Sequence, residues 1–398
     1  MILETFKYRL YPTKPQERLL DKTVETCRQW YNASLGERVT VWETENRTLS
    51  RFEQLAEVKG YREEHFLGGR VHSHILQVVA TDVDKTFMAF FKRVQSGEEP
   101  GYPRFKGRNR FSSFGLKENG NGFRIDRRRL DISNIGRIRV RWHRQIEGTI
   151  KSVRISRHAG NWYACFSCEV EESPFSPTGK KVGIDVGIYH LLATSDGEFV
   201  DNPKWYVSEQ KKLRVLQRRV SRRRLGGSNR CKALHVKQRQ QEHVSNCRKD
   251  YLNKIADHFI KNYDKIAIED LEIDNMVRNH HFSKSVLDAG WGYLKQKLTD
   301  KAVEAGRTVI LVNPAGTSQA CSSCGKAFEH LTLKDRWVTC NCGLSMDRDE
   351  NAAINTIKRA RDTSVVAKAQ PIGQGCHKKP LHFSGWGVSQ NKSEGNNK

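Results

Sequence analysis

The chain has 398 residues, which suggests two to three domains of about 150 residues each. It carries 69 Lys and Arg residues against 45 Asp and Glu residues, a net charge of +24, which is typical of a protein that binds polyanions. No apolar run approaches the ~18 residues of a transmembrane helix, and the N-terminus lacks the order of a signal peptide, so we expect an intracellular protein.

The N-terminal part reads as a short strand followed by helices. Residues 7–11 alternate like a strand, and residues 17–38 are periodic like a helix. A second helix is predicted over residues 70–93, with an apolar stripe that includes three phenylalanines and is typical of core packing. Its opposite face is polar, and we expect Ser73, His74 and Gln77 to reach a nucleic-acid groove.

The segment 101–111 interleaves cations with aromatic rings. Arg104, Lys106 and Arg108 are suited to neutralise phosphates while the neighbouring rings pack on bases or sugars. The alternative is a solvated loop with a few anchoring rings. Residues 123–172 then read as successive strands with turn signals, which predicts a small β-barrel.

Three acidic stations follow in a chain that is otherwise basic. Asp185 and Glu269 each end a short apolar run typical of a buried central strand, so we expect them near the ends of neighbouring strands. Asp349 precedes a helix predicted over residues 350–361, where it would be favoured as a cap. Alone, each acid could simply begin a turn. Together they predict a Mg²⁺ site, because carboxylates can approach phosphate only across a cation.

A long basic helical pair lies between the first two acids. Residues 211–249 hold only one acid, Glu242, and Gly226 and Gly227 are predicted to break the helix. Such charge density exceeds what a solvated helix needs, so we predict a nucleic-acid duplex on this surface, with Arg222, Arg223 and Arg224 among the phosphate contacts.

Four of the ten cysteines have the spacing of a zinc ribbon. Cys321 and Cys324 form one pair and Cys340 and Cys342 the other, separated by fifteen residues, which predicts one structural Zn²⁺ held by four thiolates. The second pair is one residue shorter than the usual knuckle. Cys165 and Cys168 lie in a predicted strand, where positions i and i+3 face opposite sides, so they are predicted to be structural. The remaining cysteines have no partner spacing.

Several motifs together resemble the TnpB family, which is encoded by bacterial and archaeal insertion sequences and is the ancestor type of the type V CRISPR effectors. The motifs are found at residues 8–13, 101–106, 183–187, 288–292, 317–325 and 347–353, and the resemblance covers about residues 5 to 360. It implies an α/β fold: an RNase H-like RuvC nuclease with a zinc ribbon insert, preceded by a wedge-type β-barrel with a helical recognition insert.

The resemblance also implies an activity and its residues. The family's members are RNA-guided DNA endonucleases that carry a transposon-derived guide RNA, read a short motif beside the target and cut double-stranded DNA. The implied catalytic acids are Asp185, Glu269 and Asp349, holding two Mg²⁺ ions. Asp347 is the rival for the third position, but the family's acid stands two residues before an Asn, here Asn351, which selects Asp349.

The resemblance divides the chain into seven segments. The wedge barrel comprises residues 1–15 and 97–177 around a recognition insert at 16–96, the nuclease comprises 178–314 and 346–362 around a zinc ribbon at 315–345, and 363–398 is a tail whose composition predicts disorder.

Other functions compete with this interpretation. An RNA-guided DNA-binding repressor without cleavage is the main alternative, but it would be expected to have lost an acid. A resolvase or RNase H without a guide would not need the large basic N-terminal half. We expect a protein of the bacterial or archaeal cytoplasm, associated with the nucleoid and not with a membrane. The oligomeric state stays open, with a monomer favoured.

Overall fold

The computed structural model describes residues 1–361 except 99, 109, 173, 280–282, 330 and 333–334. The predicted disordered tail, together with Cys376, lies outside the described residues. Within the described part of the chain, no helix is both long and apolar enough to span a membrane.

The N-terminal half combines a helical insert with an eight-stranded sheet. Its helices are α1 (Lys14–Glu45), α2 (Arg51–Ala56), α3 (Val58–Glu64), α4 (Phe66–Gly69) and α5 (Ser73–Gln95). Its strands are β1 (Ile2–Tyr11), β2 (Ser113–Leu116), β3 (Glu118–Asn119), β4 (Gly122–Asp126), β5 (Arg129–Ile132), β6 (Gly136–Arg141), β7 (Thr149–His158) and β8 (Asn161–Val170). The predicted strands and helices of this half are therefore present, with longer bounds for β1 and α1.

Pairing in this sheet follows the order β2-β7-β8-β1-β6-β5-β4-β3, with β1 antiparallel to both β8 and β6. Among the described residues the ladder ends at β2 and β3, so hydrogen bonding does not close the predicted barrel. Helix α5 packs on β2 so closely that a side chain on Gly115 would come within 2.9 Å of Val78.

The apolar stripe of α5 is core only over its first part. Ile75, Val79 and Val83 are buried in the same cluster as the sheet residues, as predicted from their spacing. Phe91 is instead 48% exposed, because it lies in the C-terminal part of α5, where Met88 and Val94 are exposed as well. Its neighbour Phe90 packs edge-on against Tyr102 of the basic segment, at 5.3 Å between ring centroids. The prediction that all three phenylalanines are core was therefore wrong for Phe91.

The C-terminal half contains a five-stranded mixed sheet. Its strands are β9 (Lys181–Val186), β10 (His190–Thr194), β11 (Phe199–Asp201), β12 (Lys265–Glu269) and β13 (Thr308–Val312), in the order β11-β10-β9-β12-β13. Strands β9, β12 and β13 are parallel, β10 pairs antiparallel to β9, and β11 pairs antiparallel to β10. Asp185 and Glu269 therefore lie on adjacent strands, as their sequence pattern predicts.

Six helices accompany this sheet: α6 (Trp205–Ser221), α7 (Ser228–Asn262), α8 (Ile273–Arg278), α9 (Ser283–Ala289), α10 (Trp291–Glu304) and α11 (Arg348–Arg359). Strands β14 (Trp337–Thr339) and β15 (Ser345–Asp347) form a small hairpin before α11. A second core cluster of buried side chains from β9, β10, β12, α7 and α10 is separate from the N-terminal core. The mixed α/β architecture is confirmed.

The basic helical pair is α6 and α7, and the break falls at Gly226 and Gly227 as predicted. The buried carboxylate of Asp288 accepts two hydrogen bonds from the N–H of Tyr206 in the first turn of α6, and pairs with Arg248 of α7 at 2.5 Å. Glu242 of α7 accepts a hydrogen bond from the Tyr163 hydroxyl at 2.9 Å. These contacts join the pair to α9 and to β8 of the N-terminal sheet.

Candidate active site

Two acids enter the site from adjacent parallel strands. Ile184 of β9 pairs with Ile268 of β12, so Asp185 and Glu269 are the next residues along the same ladder. Side chains of residues that are level on neighbouring parallel strands point to the same face. Glu269 is only 7% exposed, and Asp185 is half-buried.

The third acid is brought in by the packing of α11 on β9. A Cβ added to Gly183 would lie 2.1 Å from the backbone oxygen of Ala353 in α11, so only glycine lets the helix lie on the strand. Asp185 follows Gly183 by two residues and shares its face of the sheet. Asp349 lies one turn before Ala353 in α11 and is 8% exposed, so it reaches the same face.

Asp347 and Asp349 have different roles in the structure. The Asp347 carboxylate accepts hydrogen bonds from the backbone N–H of Asp349 at 2.8 Å and of Glu350 at 3.3 Å, so Asp347 is the N-cap of α11. We had expected Asp349 to be the cap. The helix instead begins at Arg348, two residues earlier than its apolar pattern indicates, so Asp349 lies inside the first turn and its side chain can turn inward.

The pKa values of two of the three acids, Asp185 and Glu269, are raised in the folded chain. Burial raises the pKa of Asp185 well above its usual range, and the nearby negative charges of Glu269 and Asp349 add to the effect. Burial also raises the pKa of Glu269, opposed by a hydrogen bond from Thr317. A cation bound between these groups would offset both the burial of their charges and the repulsion between them. This is the behaviour expected of metal ligands.

Three residues that contact the acids were missed from the sequence. The Thr317 hydroxyl is buried and donates a hydrogen bond of 2.6 Å to Oε1 of Glu269. The guanidinium of Arg336 lies 3.4 Å from Oδ2 of Asp349, and Arg348 approaches the other oxygen at 3.7 Å. Thr317 stands in the Thr-Ser-Gln motif before Cys321, which was a usable signal, but Arg336 had none beyond its charge.

A polar network joins α11 to the loop that carries Thr317. Asn355 donates to the carbonyl oxygens of Thr317 at 2.8 Å and Ala320 at 2.7 Å, and Asn351 donates to Ala320 at 2.8 Å. The Asn351 side-chain oxygen accepts from the N–H of Ser322. Because buried amides satisfied in this way are costly to displace, the network holds Glu269's partner and Asp349's helix in one rigid unit.

The four predicted zinc ligands come together. The ligand atoms of Cys321, Cys324, Cys340 and Cys342 all lie within 4.8 Å of one another, with sulfur distances of 3.5 Å for Cys321 to Cys342 and 3.6 Å for Cys324 to Cys340. Zn–S bonds of about 2.3 Å in a tetrahedron place sulfurs about 3.8 Å apart, so the cluster fits zinc. The described part of the chain has no second cluster of this kind, and the carboxylates are spread more widely.

The shorter second knuckle is accommodated by a tight turn. The N–H of Gly343 donates to the carbonyl oxygen of Cys340 at 2.9 Å, and Gly343 takes a positive φ of 93° that favours glycine. The backbone N–H of Leu344 and the Cys321 thiol lower the pKa of Cys342 to about 6, whereas the pKa of Cys340 is raised, so Cys342 is the one of this pair that favours the thiolate. Cys165 and Cys168 are buried in β8, as predicted.

We expect purified protein to contain one zinc ion per chain. The double variant Cys324→Ser with Cys340→Ser should lose it, because two remaining thiolates cannot hold a structural ion. The matched control, Cys165→Ala with Cys168→Ala, should keep it. Elemental analysis of the three proteins decides the point, and zinc retained by the first variant would contradict the assignment.

The residues predicted to contact nucleic acid lie in three places. Ser73, His74 and Gln77 are half-buried, because this face of α5 packs beside residues 117–121; Gln77 accepts from Lys117 at 3.2 Å. Arg104 and Arg108 are exposed. The backbone of Lys106 is anchored to α1 by Asn32, through bonds of 2.8 and 3.1 Å, so the segment is fixed along α1.

The arginines at the end of α6 are not equivalent. Arg222 and Arg224 are exposed, whereas the guanidinium of Arg223 donates to the carbonyl oxygen of Asn229 at 2.9 Å. Arg223 therefore stabilises the turn between α6 and α7, and two of the three predicted arginines remain available for a ligand.

Comparison with known proteins identifies the family. The model of a "Probable transposase" matches residues 165–280, and that of the "Cas12f1-like, TNB domain" matches 291–356. A "Helix-turn-helix domain" model matches 1–47, where the structure has β1 and the single helix α1. A protein of Streptomyces pristinaespiralis named "Putative RNA-guided DNA endonuclease" is 32% identical over 364 residues, covering 89% of each chain.

The chain belongs to the TnpB family. A protein of Escherichia coli K12 named "Putative RNA-guided DNA endonuclease InsQ" is 29% identical over 395 residues, covering 94% of this chain and 96% of its own. A solved Cas12f1–sgRNA–target DNA complex has the same fold, with a TM-score of 0.56 at 14% identity, covering 89% of this chain and 98% of that chain. The TnpB resemblance noted from the motifs is thus confirmed.

Proposed function

We propose that this TnpB protein is an RNA-guided DNA endonuclease that cuts double-stranded DNA at one nuclease centre formed by Asp185, Glu269 and Asp349. The observation that carries the proposal is the convergence of the three acids, two from level positions on adjacent strands and one from the helix that lies on Gly183. The names of the relatives indicate the reaction, and the three acids are residues that can hold the metal ions such a reaction uses. Because all three acids are present, the repressor alternative is not favoured.

The acids suit divalent cations, and we propose two Mg²⁺ ions. Such a pair activates water and stabilises the leaving oxygen of an in-line phosphodiester displacement. The chain's own residues hold the ligands in position. Thr317 donates to Oε1 of Glu269 and so would orient this carboxylate toward a metal. Asp185 lies close enough to feel the charges of both other acids, so it would belong to the same ligand set as Glu269 and Asp349.

Arg336 is suited to the substrate rather than to the metals. It reaches Asp349 from the segment before β14, and its side chain is about half exposed, so its remaining N–H groups can donate to a phosphate. A guanidinium next to metal-bound carboxylates stabilises charge that develops on a phosphoryl group. We propose that Arg336 binds the phosphate that is cut.

We propose the domain division stated from the sequence. The first core cluster supports a wedge-type domain at 1–15 and 97–177 with its insert at 16–96, and the second supports a RuvC-type nuclease at 178–314 and 346–362. The four-cysteine cluster supports a zinc ribbon at 315–345. The net charge of +24 on the whole chain supports binding of a guide RNA and of target DNA beside a short motif. Such an enzyme would work in the bacterial cytoplasm.

We expect one abundant structured RNA to copurify with the protein. Loaded with this RNA, the protein should cut matching double-stranded DNA in Mg²⁺, stop in excess EDTA and resume when Mg²⁺ is restored. RNA sequencing and a cleavage assay with a mismatched target as control provide the test. Cleavage that ignores the RNA sequence would favour an unguided resolvase, and cleavage that persists in EDTA would refute the metal site.

We further expect the exposed arginines of α6 to bind phosphates without reading sequence. The variant Arg222→Glu with Arg224→Glu should weaken target binding about equally for every guide, because a guide–target duplex is held by its backbone. The slope of log affinity against log salt should fall by roughly 0.7 to 0.9 for each lost contact. Binding measured over a salt series tests this. An unchanged slope would place both arginines in solvent, and a loss for one sequence only would show base reading.

A further inference from the structure

Tyr189 is an exposed aromatic residue at the rim of the acid site. It lies in the turn between β9, which carries Asp185, and β10, and it is 61% exposed. A single exposed ring is ordinary on a protein surface. This ring differs because of what holds it and what lies beside it.

The turn that carries Tyr189 is rigid. The N–H of Gly187 donates to the carbonyl oxygen of Leu191 at 3.2 Å, and the side chain of Asn202 donates to the carbonyl oxygen of Ile188 at 2.9 Å. The ring of His190 meets the Tyr189 ring edge-on at 4.7 Å and 89°. A ring fixed in this way loses little conformational entropy when a ligand packs on it.

Arg336 links this ring to the acids. Its guanidinium lies 5.4 Å from the Tyr189 ring centroid and 3.4 Å from Oδ2 of Asp349. One planar cation is therefore shared by a flat aromatic surface and a carboxylate of the nuclease centre. A phosphate that Arg336 binds would have the base of the same or the next nucleotide within reach of the ring.

We propose that Tyr189 stacks on an unpaired base of the DNA strand being cut, next to the scissile phosphate. This inference rests on the proposed nuclease function and adds a binding site for a nucleobase to it. The base must be unpaired, because both faces of a base inside a duplex are already stacked. Stacking on an aromatic ring tolerates every base, so the contact would position the strand without selecting sequence.

A double-mutant cycle tests the contact. The substrate is target DNA with a short unpaired bubble at the cut site, either intact or with one abasic nucleotide flanking the scissile phosphate. Tyr189→Ala should slow single-turnover cleavage of intact DNA about 10-fold, equivalent to about 1.4 kcal/mol, and Tyr189→Phe should stay within about 2-fold. The abasic nucleotide should slow the unchanged protein about 10-fold but the Tyr189→Ala variant hardly at all.

A second measurement does not depend on cleavage. With 2-aminopurine at the flanking position, fluorescence should be quenched on binding to the Asp185→Asn variant and remain bright when Tyr189→Ala is added. Equal slowing of both proteins by the abasic nucleotide, or equal quenching with and without the ring, would overturn the stacking proposal. If the unchanged protein cuts neither DNA, the nuclease function itself fails, and the stacking proposal fails with it.

Discussion

The Asp185→Asn variant should bind guide RNA and target as tightly as the unchanged protein while DNA cleavage falls roughly 10³-fold or more. The substitution keeps the shape of the side chain but removes the charge that would hold a metal between Glu269 and Asp349. Binding should persist because the basic surfaces that we propose to contact nucleic acid, such as the end of α6, lie on other elements. A cleavage assay and a binding assay on the same samples measure both properties.

Two further variants test which acid is the proposed metal ligand, Asp349, and which is the N-cap of α11, Asp347. Asn caps helices about as well as Asp, so Asp347→Asn should leave α11 and cleavage nearly unchanged if Asp347 serves only as the N-cap. Asp349→Asn should behave like Asp185→Asn. If Asp347→Asn abolishes cleavage and Asp349→Asn does not, the assignment of the third acid is wrong.

The Asp185→Asn substitution should also stabilise the protein when no metal is present. The folded-state pKa of Asp185 is raised, so the folded chain binds the proton more tightly than the unfolded chain. Stability from this group is therefore present at low pH and is lost as the pH rises from about 4, the unfolded pKa, through the folded pKa. In EDTA at pH 8, Asp185→Asn should melt about 2 °C higher than the unchanged protein, the scale of about 1 kcal/mol that relieving a strained site gives.

Thermal melts from pH 5 to pH 8, with EDTA and with Mg²⁺, measure this difference. The gap between the two proteins should narrow at low pH, where the protonated acids of the unchanged protein no longer repel one another. It should also shrink or reverse in Mg²⁺, which stabilises the protein that binds it. A variant that melts lower than the unchanged protein in EDTA at pH 8 would show that the charge of Asp185 does not destabilise the folded state.

The positions of Asp185 and Glu269 at the ends of neighbouring strands could be predicted because their signals are local. An apolar strand ending in a carboxylate can be recognised within five residues, and Asp185 and Glu269 both have this pattern. The cysteine spacing is equally local, and the four thiols meet as predicted. Residues whose role depends on distant partners were not predictable in this way. Thr317 meets Glu269 across 48 positions of chain, and no periodicity encodes that contact.

The surroundings of a helix face are also not predictable from local sequence. The polar face of α5 predicted an open groove-binding surface, but a polar residue at the right period cannot reveal that residues 117–121 cover it. The cap of α11 was misassigned because Asp347 and Asp349 both satisfy the composition of a helix N-terminus, and only the hydrogen bonds distinguish them. Gly183 was part of a motif whose physical reason, the approach of α11, appears only in the packed structure.

Because α11 lies so close to Gly183, the Gly183→Ala substitution should both destabilise the nuclease half and stop cleavage. The new Cβ would lie 2.1 Å from the Ala353 oxygen and 2.9 Å from the backbone nitrogen of Ile357, and neither backbone atom can rotate away. Helix α11 would have to move off β9, taking Asp349 with it. Overpacking of this kind costs about 3 kcal/mol or more, and a displacement of about 1 Å at a catalytic group costs roughly 10²-fold in rate.

Gly60→Ala is the matched control, because it adds the same methyl group to helix α3, where nothing lies within 4 Å. Alanine favours helix over glycine by about 1 kcal/mol, so this variant should be slightly more stable and cut normally. Denaturant midpoints and cleavage rates of the two variants are compared with the unchanged protein. Normal stability and cleavage in Gly183→Ala would mean that α11 does not lie on β9. A loss confined to Gly183→Ala would support the packing that brings the third acid to the other two.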